Sequence, residues 1–230
     1  FAAMTVFVHN AYTAPYPGMN DFLTTWEGAR TFFYEGHSPY LEQATLNIQK
    51  RIYGRPALPG EWPNYFAYPF HTAFVMYPFV HVDYAWASAG WFALMQIGVV
   101  AATLMLLQIL CWRPPPLMLG AVLIWMLFFY PTARGSILGQ VSHAVFFLQI
   151  LALWWMARSR DVPAGIALAI STFKPHLGVF LIPFLMLWAL RNRRFRLVIA
   201  FTAGFGAIMA ACFVVHPAWL EGWFYQLRIY

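Results

Sequence analysis

Of the 230 residues, 61% are hydrophobic, 20% aromatic and only 10% charged, whereas a soluble domain carries about a quarter charged residues. That balance excludes an ordinary soluble domain and predicts an integral membrane protein. The net charge of +6 does not point to a nucleic-acid partner, because the basic residues sit in short clusters beside apolar runs, where they act as topology signals.

The chain opens on FAAMTVFVHN, with no initiator Met and no basic region before the apolar run, so it does not read as a signal peptide. Residues 1–13 are expected to be the remnant of a transmembrane helix, and the chain a fragment of a longer polytopic protein. Residues 14–83 are predicted to form a long outer loop. Within it, Phe22 to about Tyr34 reads as a helix capped by Asn20 or Asp21, with Phe22, Trp26, Ala29 and Phe33 at helical spacing. Such an amphipathic helix suits a membrane surface. The stretch 64–81 reads as a second interfacial helix, broken by Pro69 and Pro78.

Residues 84–230 are predicted to be a transmembrane bundle. A span needs about 20 apolar residues, and Tyr84–Trp112, Pro114–Ala133, Gly135–Ala157 and Leu197–Leu220 are free of charge. Between Arg160 and Arg191 a single span would put the basic clusters 158–160 and 191–196 on opposite sides, against the positive-inside rule. A hairpin of two short helices over 162–190, each arm roughly 18 to 22 Å long, keeps them together. Its turn carries Lys174 and His176, and Pro175 disfavours helix at the residue before it. With Arg113 on the same side as those clusters, residues 133–140 and 216–226 become outer connections. All seven histidines then fall on the outer half, and so do all the acids except Asp161. Cys111 and Cys212 lie in apolar spans, near opposite faces, and are expected to be packing residues rather than a disulfide.

Soluble catalytic signatures such as a phosphate loop, H-E-x-x-H or G-x-S-x-G are absent from the sequence. What remains is a carboxylate in the first outer loop, with cations and amides at the outer ends of helices. Gln140 and His143 stand about one turn apart and are expected on one helix face, directed at a cavity or at a packing partner. His81 and Asp83 have a metal-compatible spacing but no third ligand nearby. Glu27, Glu35, Glu42 and Glu61 read as charged faces of surface helices or as partners of Arg30, Lys50 and Arg51.

The order of motifs carries a resemblance. Asp21 is followed by FFYEGHSPYLE (32–42), YFAYPF (65–70), ILGQVS (137–142) and the AGIALAISTFKP turn (164–175). Together they resemble the polyprenyl-dependent mannosyltransferases of glycosyltransferase family 87, over roughly residues 18 to 190. The resemblance implies an all-α, polytopic bundle of GT-C type whose long outer loop carries interfacial helices. It implies transfer of a hexose, mannose first, from a polyprenyl-phosphate donor to a lipid or glycan acceptor with inversion. The expected location is a bacterial plasma membrane among its lipids, with the active site on the non-cytoplasmic face, no cofactor and no metal. Asp21 matches the family's first-loop Asp and becomes the candidate general base, a role compatible with capping its helix. Lys174, Arg134 and His176 are the candidate phosphate-binding residues, and Gln140 and His143 are placed in the substrate cavity. A snorkelling lysine remains the other reading of Lys174, and a secondary transporter with broken helices is the alternative function.

Overall fold

The computed structural model describes residues 1–16, 18 and 20–229, and among these the regular structure is entirely helical. The chain divides into two compact units, residues 1–92 with 210–230, and residues 93–209.

In the first unit, α1 (Ala2–Val8) continues as a π-helical turn through Thr13. The Thr13 hydroxyl donates to the Ala85 carbonyl at 2.6 Å, tying that segment to the first turn of α5 (Tyr84–Ile109). Next comes α2 (Asn20–Glu35), a turn longer than the expected helix. Its residues 22–29 are all buried. The apolar stripe therefore serves the core of the unit, not a membrane surface. Phe22 stacks on Trp91 and meets Phe79 edge-on, and the Trp26 indole N–H donates to the Phe79 carbonyl at 2.8 Å.

Packed on α2 is α3 (Glu42–Tyr53), whose end is set by Gly54 in the left-handed region. The second expected interfacial helix is reduced to α4 (His71–Met76), followed by a 3-10 turn at Tyr77–Phe79. Pro69 precedes α4 and does not break it. Phe66, Phe70, Ala73 and Met76 are fully buried, so this segment too belongs to the interior. At the other end of the chain α12 (Trp219–Ile229) returns to this unit, where Gln226 donates to the Tyr40 carbonyl at 2.8 Å and the Trp223 indole to that of Ala67 at 3.2 Å.

Glu27, read from the sequence as part of a charged face or as a partner of Arg30, Lys50 or Arg51, is 2% exposed. It survives there because Arg51 from α3 reaches its carboxylate at 2.6 Å and Arg30 stands at 3.8 Å. Burial pushes the Glu27 pKa up, and the two arginines oppose the shift. Arg51→Met leaves that carboxylate with the more distant arginine alone. Because Arg51 is itself 40% exposed, the cost should be about 2 kcal/mol, below the 3 to 5 typical of a fully buried pair. The sign of the pH dependence is set by burial. A carboxyl whose folded pKa is raised keeps its contribution below the unfolded value and loses it as pH rises through the folded one. The variant's melting deficit should therefore be larger at pH 7.5 than at pH 5, as differential scanning fluorimetry would show.

The second unit contains α5 from residue 93 onward, α6 (Pro116–Phe128), α7 (Tyr130–Leu138), α8 (Ser142–Ala157), α9 (Asp161–Ile170), α10 (Leu181–Arg191) and the first part of α11 (Phe195–Val215). At 26 and 21 residues, α5 and α11 are long and apolar enough to cross a membrane, and α6 with α7 make a third such stretch, bent by 50°. The break differs from expectation. Residues 133–140 are not a simple outer connection, since most of them form α7, and α8 begins only at Ser142.

Where a hairpin of two short helices was expected, the chain forms α9 and α10, of 10 and 11 residues, joined by 3-10 turns at Ser171–Phe173 and Pro175–Leu177. At about 1.5 Å per residue neither arm spans a 30 Å hydrocarbon layer. Both arms share one core cluster with α8 and α11 through Ala152, Leu168, Leu185 and Leu197. Arg194 pairs with Asp161 and also donates to the Met156 carbonyl. The two basic clusters therefore lie at one end of the unit, as a hairpin requires.

The crossing of α9 and α11 depends on a glycine. A Cβ on Gly165 would lie 2.6 Å from the Leu197 carbonyl oxygen and 2.7 Å from the Phe201 nitrogen. Both are backbone atoms, unable to rotate away, so small residues set the approach as they do in membrane helix pairs. Gly165→Leu should cost about 3 kcal/mol by overpacking, read as a lowered aggregation temperature in detergent. A melting curve superimposable on the parent would show that the helices are not in backbone contact.

Candidate functional site

The polar residues of the second unit meet where α7 turns into α8. Gly139 ends α7 with φ 68°, a conformation that costs glycine little. The turn places Gln140 before α8, not on it. Gln140 and His143 therefore do not share a helix face as expected, although both line the same cavity.

Lys174 is delivered to this turn by the hairpin. Proline at 175 keeps residue 174 out of helical geometry (φ −128°, ψ 79°), so the side chain leaves a break between two 3-10 turns. It is 8% exposed. Its ammonium group donates to Gln140 Oε1 at 2.6 Å and to Ser142 Oγ at 2.8 Å, and Ser142 donates to Gln140 Oε1 at 3.1 Å. The ammonium is thus oriented by two side-chain oxygens. From α8, Gln149 donates to the Leu177 carbonyl at 3.2 Å and steadies the same turn.

Beside this triad opens a cavity of about 550 Å³. Arg134, Gln140, Ser142 and His143 supply its polar wall, Trp125, Phe129 and Phe146 are among its apolar residues, and no carboxylate lines it. His143 fits because position 135 is glycine: a Cβ there would stand 2.5 Å from the imidazole Cε1. Behind α7, the Gln96 amide donates to Ser136 Oγ at 2.5 Å and Ser136 to the Thr132 carbonyl at 2.8 Å, bracing the helix that holds Arg134. The cavity is thus lined by one guanidinium and a few neutral polar side chains among mostly apolar residues.

His176 is not part of this wall. It lies two residues beyond Lys174, exposed, on the far side of the proline. Ser142, by contrast, bonds directly to the lysine, yet sequence reasoning passed over it. Its signal was present as the last residue of ILGQVS, but a serine at a helix start reads first as a cap.

Asp21 belongs to the first unit. It is the second residue of α2 rather than its cap, a first-turn carboxylate favoured by the helix dipole. Its backbone carbonyl accepts hydroxyl hydrogen bonds from Thr24 at 2.9 Å and Thr25 at 3.4 Å, which fix the turn carrying the carboxylate. The same unit holds an arrangement not anticipated from sequence: Ser38 and His216 Nε2 lie 2.8 Å apart, and the imidazole is enclosed by Phe32, Tyr40 and Phe70. Burial pulls the His216 pKa below its ordinary value. The SPY residues of the 32–42 motif thus serve packing, with Tyr40 donating to the Tyr68 carbonyl at 2.8 Å.

Glu35, Glu61 and Asp83 have partners in the structure. Glu35 bonds Arg30 and Asn47, and Glu61 takes a two-pronged contact from Arg55 at 2.7 Å on each oxygen, which with the Leu58 amide holds its carboxyl down to about 2. His81 bonds the Tyr34 hydroxyl and Asp83 accepts from the Ala85 amide.

The sequence model of glycosyltransferase family 87 matches residues 66–229. That range contains Arg134, Gln140, Ser142, His143, Lys174 and His176, whereas Asp21 and the 32–42 motif precede it. No curated protein and no solved structure matches the chain.

Proposed function

This chain belongs to glycosyltransferase family 87, and on that premise we propose that it transfers a hexose, mannose first, from a polyprenyl-phosphate donor to a lipid or glycan acceptor on the non-cytoplasmic face of a membrane. The observation that carries the choice of donor is the buried Lys174 ammonium, fixed by Gln140 and Ser142 at the edge of a cavity whose other walls are apolar. A prenyl phosphate is an anion on a hydrocarbon chain. It asks for oriented donors at one end and a dry wall along the rest.

In the proposed reaction an acceptor hydroxyl attacks the anomeric carbon from the face opposite the phosphate. The new C–O bond forms as the sugar–phosphate C–O bond breaks, and the electron pair leaves with the polyprenyl phosphate. The hydroxyl proton passes to the Asp21 carboxylate. The phosphate gains one negative charge as it departs, so cations already in place stabilise the transition state more than the ground state. Lys174 and Arg134 take that role. His143 and Gln140 shape the wall against which the phosphate rests.

A photoreactive prenyl phosphate tests the donor site. It should label the stretch from Trp125 to Phe146, and unlabelled polyprenyl-phosphate mannose should suppress the labelling. Labelling confined to other segments would overturn the assignment.

A further inference from the structure

A second cavity, of about 650 Å³, lies in the second unit at the end that carries the basic clusters. Its frame comes from the chain's exit from α5. The helix stops at Ile109, Cys111 turns the backbone with φ 53°, and Pro114 and Pro115 hold the chain off helix until α6 begins at Pro116. Arg158, the first residue past α8, closes the other side.

The wall is divided by chemistry. Arg113 and Arg158 face Leu104, Leu107 and Leu119, and no carboxylate is present. Among the described residues neither arginine forms a salt bridge, whereas Arg194 of the other basic cluster is paired with Asp161. Arg158 is also held in place. It donates to Gln108 Oε1 at 2.8 Å and to the Trp154 carbonyl at 3.1 Å, with its guanidinium 3.7 Å from the centroid of the Trp154 ring. The Trp154 indole donates to the same Gln108 oxygen at 2.7 Å, so the cation is aimed by a fixed partner.

We propose that this cavity binds the phosphate of an anionic glycerophospholipid from the surrounding membrane, with the acyl chains running along the leucines. Two unpaired guanidiniums and no acid select an anionic headgroup over a zwitterionic one. The site's position, where the apolar residues of α5 and α6 end, is the level at which headgroups lie. Basic pockets between membrane helices bind anionic lipids on this physical basis. The ligand is a resident lipid, not the donor, and the site is separate in its lining residues from the one containing Arg134 and His143.

Cys111 is exposed and lines the cavity, whereas Cys212 is buried, so thiol labelling reports on occupancy. The full-length protein in zwitterionic detergent is treated with a bulky maleimide, and modification of the Cys111 peptide is followed by mass. Dioleoyl phosphatidylglycerol at tenfold over its dissociation constant should slow labelling about tenfold. Dioleoyl phosphatidylcholine and inorganic phosphate should not. In R113Q/R158Q the concentration needed for protection should rise about thirtyfold, and the charge-matched R191Q/R196Q variant should keep the parental value. Equal protection by phosphatidylcholine, protection by inorganic phosphate alone, protection unchanged in R113Q/R158Q, or protection lost equally in R191Q/R196Q would each overturn the proposal.

Discussion

Lys174→Met is expected to lower the transfer rate by about 100- to 1000-fold, the range found when one preorganised donor to a developing oxyanion is removed. Methionine fills nearly the same volume, and Gln140 and Ser142 keep their own hydrogen bond at 3.1 Å. Removing a buried cation also removes its desolvation cost. The variant should therefore purify normally and melt close to the parent while losing activity, and the loss should appear in kcat more than in the KM for the acceptor. Lys174→Arg should not restore the rate, because the larger guanidinium cannot occupy a niche that leaves the lysine 8% exposed. Activity within threefold of the parent in the methionine variant would remove Lys174 from the phosphate site.

Asp21→Asn carries the second large effect, a loss of about 100- to 10,000-fold in kcat, the contribution of a positioned general base. The substitution separates chemistry from structure. The hydroxyl bonds of Thr24 and Thr25 go to the backbone carbonyl of residue 21, so they survive the change. Among what the fold loses is a first-turn negative charge, worth about 0.3 to 1 kcal/mol. A large kinetic loss beside a small shift in melting temperature identifies a proton acceptor. Full activity in Asp21→Asn would show that the carboxylate serves α2 alone and that another group accepts the proton.

The sequence was legible where hydropathy and steric rules act locally. The spans at α5 and α11 follow from uninterrupted apolar runs, and the hairpin follows from two basic clusters with a proline between them. Composition could not reveal the burial of α2. Amphipathic spacing says that a stripe must be covered, and it does not say whether lipid or protein covers it. Here Phe66, Phe70 and Trp91, between 40 and 70 residues further on, take part in that covering. For Glu27 the sequence offered Arg51, 24 positions away, as one partner among several, and only the fold singles out that contact and buries it. At the cavity, Lys174 and Gln140 were each recognisable as polar residues in an apolar setting. Their contact, across 34 positions, was not. Gly139 moved Gln140 off the helix on which a simple count had placed it.

A transfer assay decides which donor the protein uses. The full-length protein, purified in detergent, is given a glycolipid acceptor and radiolabelled mannose either on a polyprenyl phosphate or on a nucleoside diphosphate. Labelled product is expected from the polyprenyl-phosphate sugar only, with the anomeric configuration inverted relative to the donor. Label arriving from the nucleotide sugar, with none from the lipid-linked one, would contradict it.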